Sequence, residues 1–110
     1  MSEAVNIGRL RVPPRAKRGE VVEIRLLLQH PMENGFRRDT LGRSVPRTII
    51  HRLGARYDGR EILRAELGTG MAANPYFAFF TRAGASGEVV IEWEDDLGVK
   101  GSLRAPIEVS

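Results

Sequence analysis

The sequence predicts an all-β protein, an immunoglobulin-like antiparallel β-sandwich of about seven strands. Three observations lead there. Apolar and polar residues alternate with a period of two through several separate stretches. No stretch keeps helical spacing for three turns. Turn-forming Gly, Pro, Asn and Asp recur between the alternating stretches.

A short first strand falls around Arg9 to Val12, and Pro13-Pro14 interrupts it. Gly19 precedes the second strand, in which Val22, Ile24, Leu26 and Leu28 share one face while Glu23, Arg25 and Gln29 share the other. Pro31 ends it. Ile49 to Tyr57 forms the next long strand, Asp58-Gly59 is a two-residue hairpin turn, and Arg60 to Leu67 returns. Tyr76 to Ala83 is a short aromatic strand, and Gly84 to Gly87 turns the chain. Glu88 to Asp95 carries Val89, Ile91 and Trp93 on one face. Asp96-Leu97-Gly98 turns it again, and Val99 to Val109 closes the fold with Leu103, Ala105, Ile107 and Val109 in phase. Trp93 must pack without the inter-sheet disulfide of antibody domains, because the chain has no cysteine. The longest irregular stretch, Met32 to Arg47, is expected to form a small hairpin excursion.

One hundred and ten residues suit a single domain over 1–110, with residues 1–8 expected to be disordered. At 42% apolar and 28% charged residues, the composition supports a hydrophobic core without metal or disulfides. No apolar run approaches the ~18 residues needed to span a bilayer, so no membrane partner is expected. Met1 to Leu10 has no apolar stretch of the kind found in secretory leaders.

The formal charge of +3 comes from fifteen Arg and two Lys. Such a balance suits an anion or nucleic-acid surface as well as a solvated one. The arginines are spread from Arg9 to Arg104, mostly alternating with apolar residues along strands, and only Arg37-Arg38 are adjacent. No RNA-binding aromatic motif or zinc-finger spacing accompanies them, so nucleic acid is not the expected partner.

The inventory for catalysis is thin. Zero cysteines remove thiolate nucleophiles and cysteine-ligated metals. Two histidines, His30 and His51, make no closed metal site unaided. His51 alternates into a strand beside Ile49 and Leu53 and is expected to be a packed or half-buried core histidine. His30 precedes a proline and is expected to be structural or solvent-facing, with Glu33 the carboxylate nearby in sequence. The serines lie in turns, at termini or singly in a strand, none in a nucleophile elbow. Glu92, Glu94, Asp95 and Asp96 form an acidic stretch in which Glu92 and Glu94 share one strand face opposite Trp93; that reads as a solvated face, against calcium binding or acid–base work. Gly68-Thr69-Gly70 is too short for a phosphate loop. No enzyme activity, cofactor or metal is expected.

The burial pattern points instead to a partner. In Tyr76-Phe77-Ala78-Phe79-Phe80, Tyr76, Ala78 and Phe80 point one way, and Phe77 and Phe79 the other. A strand of an isolated sandwich has one polar face. Two apolar faces require a cover, either the Met32 to Arg47 loop or another protein. Two proline turns stand beside this strand and the second one: His30-Pro31-Met32-Glu33 and Asn74-Pro75-Tyr76-Phe77.

The wording of these segments resembles the SoxZ family. Gly19-Glu20-Val21-Val22-Glu23-Ile24, His30-Pro31-Met32-Glu33-Asn34-Gly35 with Arg37-Arg38-Asp39, Val45-Pro46-Arg47 with Ile49-Ile50, and Ala73-Asn74-Pro75-Tyr76 with Phe79-Phe80 occur in the family's order and spacing. The resemblance runs from about Arg9 to the C-terminus. It implies an immunoglobulin-like, non-catalytic subunit of the SoxYZ complex of bacterial thiosulfate oxidation. The partner SoxY carries sulfur on a cysteine of its C-terminal arm, and other Sox enzymes dock transiently on the heterodimer. It further implies a periplasmic protein without its own signal peptide, exported bound to SoxY. His30, Pro31, Met32, Glu33, Asn74, Pro75, Tyr76, Phe77 and Phe79 are the expected partner interface, and a homodimer is expected when the chain is isolated. The alternatives are an immunoglobulin-like module for an anionic ligand or nucleic acid, and a metal-dependent oxidoreductase on the same sandwich.

Overall fold

Two sheets stacked face to face make up the computed structural model, which describes residues 8–110. In chain order the strands are β1 (Gly8–Arg11), β2 (Arg15–Ala16), β3 (Val21–Leu28), β4 (Ile50–Tyr57), β5 (Arg60–Glu66), β6 (Tyr76–Arg82), β7 (Gly87–Asp95) and β8 (Lys100–Val109). One sheet has the order β1-β3-β6 and the other β2-β8-β7-β4-β5. The seven expected strands are all present within a residue or two of their expected ends. Of the stretch 1–8 expected to be disordered, residues 1–7 lie outside the described residues and Gly8 opens β1.

The pairing corrects the expectation in one place. β2 is an eighth strand, and it pairs in parallel with the end of β8, Arg15 opposite Glu108 and Ala16 opposite Val109. Every other strand pair is antiparallel. Two residues after a Pro-Pro step carry no periodic signal; only their distant partner makes them a strand.

Side-chain alternation builds the core. Val22, Ile24, Leu26 and Leu28 of β3 are buried against Leu53, Ala55 and Tyr57 of β4, Val89, Ile91 and Trp93 of β7 and Ile107 of β8. Asp58 and Gly59 take φ +51° and +78°, the left-handed pair a tight hairpin between β4 and β5 needs. Trp93 lies directly opposite Gly101, where a Cβ would meet its indole ring. The missing side chain of Gly101 thus makes the space that a disulfide-free core gives its tryptophan.

The stretch between β3 and β4 is the expected hairpin excursion. Glu33 and Thr48 exchange backbone hydrogen bonds of 2.8 and 2.9 Å, and Arg38 bridges to Ser44 nearer the tip. Its base is tied to the turn after β7, where Asp96 accepts from Arg47 Nε at 2.8 Å.

Candidate functional site

The two proline turns meet, and what they build is internal. The His30 N–H donates to Asn74 Oδ1 at 3.0 Å, and the Asn74 N–H donates to the His30 carbonyl at 2.8 Å. Asn74 holds φ +52°, a left-handed conformation that Asn tolerates better than other residues with a Cβ. His30 is buried, its Nδ1 accepting from the Met32 N–H at 2.9 Å and its Nε2 lying 3.3 Å from Asp95 Oδ2. The Met32 contact requires an unprotonated Nδ1, so the ring is the Nε2–H tautomer and donates to the carboxylate. Asp95 is equally buried, and its other oxygen accepts from the Leu97 and Val99 N–H groups, both at 2.9 Å. Met32 completes the hub, its sulfur accepting from the Ile50 N–H at 3.2 Å. No buried side-chain polar atom among the described residues is left without a partner.

This geometry corrects the picture of His30 as a turn residue with Glu33 for its carboxylate. Glu33 pairs outward with Arg37 at 2.7 Å, and that guanidinium holds its carboxyl below the usual range. The carboxylate beside His30 is Asp95, 65 residues on. A histidine sealed in this way has no access to a substrate, so the hub is a structural clamp joining the β3, β6 and β7 ends. His51 is half-buried as expected, its Nδ1 3.2 Å from Asp96 Oδ1. Asp96 also accepts from Arg47 and from the Ile49 N–H, and with Arg47 as the leading cause its pKa falls from 3.8 to about 2.

Of the nine residues expected at a partner interface, His30, Met32 and Pro75 are buried inside the protein. Phe77 and Phe79 are half-buried and pack on the core. Pro31, Glu33 and Asn74 lie at the turns, and Tyr76 alone stands on an open sheet face. There it is joined by Phe80, which the expected set omits: Tyr76 is 56% and Phe80 64% exposed. The Met32 to Arg47 loop does not cover them; its bonds run to Thr48, to Ile50 and to Asp96 instead. The signal that would have found this face is in β3, where Val21 and Leu27 occupy the otherwise polar phase and are both exposed.

The outer face of the larger sheet has the opposite character. Its arginines stand against carboxylates: Arg52 with Glu94, Arg56 with Glu92 at 2.6 Å, Arg64 with Glu61 at 2.9 Å, and Arg104 with Glu88 at 3.7 Å. Even the open groove there, about 600 Å³ between β5, β4 and β7, is lined by these matched charges. Glu92 and Glu94 are therefore the solvated face the sequence predicts. Among the described residues, nine of the fifteen arginines are in ion pairs, a poor arrangement for gripping phosphates, which would have to displace a carboxylate each time.

The chain matches the family described as sulphur oxidation protein SoxZ over residues 10–105. No match is found among curated proteins. Among solved structures, a variant of the superoxide reductase (neelaredoxin) of Ignicoccus hospitalis superposes with a TM-score of 0.75 at 16% identity, covering 99% of this chain and 84% of that one. The sulfur carrier protein SoxY of Chlorobium limicola f thiosulfatophilum gives 0.64 at 9% identity, covering 94% and 78%. The superoxide reductase of Nanoarchaeum equitans gives 0.65 at 14%, covering 94% and 93%. Identities this low establish the shared sandwich and nothing of its chemistry. The chain has no cysteine, and the described residues bring no three His, Asp or Glu together as a metal would need. With the family match spanning nearly the whole sandwich, the chain belongs to the SoxZ family, the non-catalytic subunit of the Sox sulfur-oxidation system.

Proposed function

We propose that the protein is the obligate partner of a SoxY sulfur carrier in the periplasm, serving as a scaffold for the carrier and as a docking platform for the enzymes of thiosulfate oxidation. The family match over residues 10–105 carries this reading. Chemistry supports it: a chain without cysteine has no thiol on which to hold sulfur, so the covalent intermediates must sit on another protein. In its own clamp of His30, Asn74 and Asp95 the histidine and the carboxylate are buried away from substrate, and the clamp ties the ends of β3, β6 and β7 together. Export together with the carrier brings it to the compartment where the carrier works.

The test is to mix the purified chain with purified SoxY and measure the mass in solution by size exclusion with light scattering. A one-to-one heterodimer is expected. Two proteins that elute separately at micromolar concentrations would refute the pairing. Cell fractionation tests the location: the chain is expected in the periplasm when SoxY is expressed with its leader, and retained in the cytoplasm when that leader is deleted.

A further inference from the structure

The outer face of the β1-β3-β6 sheet is the part of this molecule that a lone sandwich does not explain. The cross-strand register sets its side chains in rows. Leu27 lies between Arg9 and Tyr76, Arg25 between Arg11 and Ala78, Glu23 beside Phe80, and Val21 beside Arg82. Val21, Leu27, Tyr76 and Phe80 are all among the exposed large apolar residues. Their exposed fractions amount to about 400 Å² of apolar surface, the size of patch that on a monomer is often functional. With the arginines included, the face approaches the ~800 Å² per partner of a standard interface. Among the described residues none covers these four side chains.

The charges on the same face decide what fits. Four arginines against one glutamate leave it at +3. Arg11 and Arg25 stand directly opposite each other, a like-charge pair that is unfavourable in a sheet unless an anion joins them. Glu23 bonds Arg25 at 2.8 Å, and among the described residues no carboxylate pairs with Arg9 or Arg11. On the larger sheet the corresponding arginines have carboxylates from their own chain. A second copy docked face to face would set one +3 surface against another. An apolar patch with a carboxylate rim is the complementary surface.

Resting on the proposed pairing with SoxY, we infer that this face is where the carrier binds, with carrier apolar side chains over Tyr76, Phe80 and Leu27 and carrier carboxylates against Arg9 and Arg11. The proline turns border this surface and fix its edge strand; of their residues only Tyr76 stands on the face itself. Tyr76 and Phe80 are the anchors, since aromatics at the centre of an interface carry most of its affinity.

Titration calorimetry of the chain with purified SoxY tests this, using Phe80→Glu, Tyr76→Glu, the double variant Arg9→Glu/Arg11→Glu, and Arg56→Glu on the other sheet as a control. All five positions are exposed, and circular dichroism and melting temperature confirm folding. Phe80→Glu and Tyr76→Glu are each expected to weaken binding at least about 30-fold. Arg9→Glu/Arg11→Glu is expected to weaken it about 10-fold and to flatten its salt dependence. Arg56→Glu is expected to stay within about twofold. If the parent chain binds SoxY and the face variants bind equally well, the face assignment is overturned while the pairing stands. If the parent chain does not bind at all, the pairing itself falls. If the isolated chain is a dimer that Phe80→Glu dissociates while carrier affinity is unchanged, the face belongs to a second copy and the inference is overturned.

Discussion

Replacing Asn74 separates the two physical effects that hold the proline turns together. In Asn74→Ala the His30 N–H loses its acceptor at the clamp, a loss worth about 1–2 kcal/mol for a partly buried donor. Alanine must also adopt φ +52°, at a further cost of about 1 kcal/mol. The sum, about 2–3 kcal/mol, corresponds to a melting temperature lower by about 8–13 °C in a domain of this size. Asn74→Gly loses the hydrogen bond but takes the left-handed conformation freely, so about 4–8 °C is expected. Asn74→Asp keeps an acceptor in place and should stay within about 3 °C. Differential scanning calorimetry on the three variants reads all three values. The reasoning fails if alanine is no worse than glycine, or if both lie within about 2 °C of the parent.

Nitrogen-15 NMR of the imidazole should show His30 protonated at Nε2 and bare at Nδ1; the opposite tautomer would contradict the Met32 and Asp95 contacts. Asp95→Asn turns an amide donor or a weaker acceptor toward that N–H and should cost about 2–4 kcal/mol in urea unfolding, with a loss under 1 kcal/mol counting against the clamp. Gly101→Ala places a Cβ 2.7 Å from Trp93 Nε1 and closer still to its ring carbons, so a loss of about 2–3 kcal/mol and a shifted tryptophan fluorescence are expected, an unchanged spectrum being the contrary result. Asp96 titrates near pH 2 in the folded protein against 3.8 ordinarily, so its stabilisation is fully present above about pH 4 and is lost as pH falls toward 2. Solvent around Arg47 reduces this to about 1 kcal/mol, and Arg47→Met should remove most of that acid dependence; an identical stability–pH curve for the variant would refute it.

Strands and turns were readable because their causes are local. Alternation in β3, β7 and β8, the Asp58-Gly59 hairpin and the Asp96-Leu97-Gly98 turn all depend on residues within a few positions of one another. β2 depends on the end of β8 and left no local trace. The site was read less well for the same reason. The sequence put Glu33 beside His30, whereas the fold puts Asp95 there. In β6 both phases are aromatic, so alternation separates Phe77 and Phe79 from Tyr76 and Phe80 without saying which pair faces in. The answer comes from the neighbouring strand: Ile24 and Leu26, buried, lie opposite Phe79 and Phe77. The two out-of-phase apolar residues of β3, Val21 and Leu27, were the clue that the outer face is not made for water alone.

Hydroxyl-radical footprinting of the chain, free and saturated with SoxY, tests the central claim most directly, because it reads side chains on every face at once. Tyr76, Phe80 and Leu27 are expected to lose reactivity several-fold in the complex, while Pro106 on the outer face of β8 and Phe36 and Leu41 in the excursion stay as reactive as in the free chain. Unchanged Tyr76 and Phe80 in a complex that protects residues elsewhere would contradict the account.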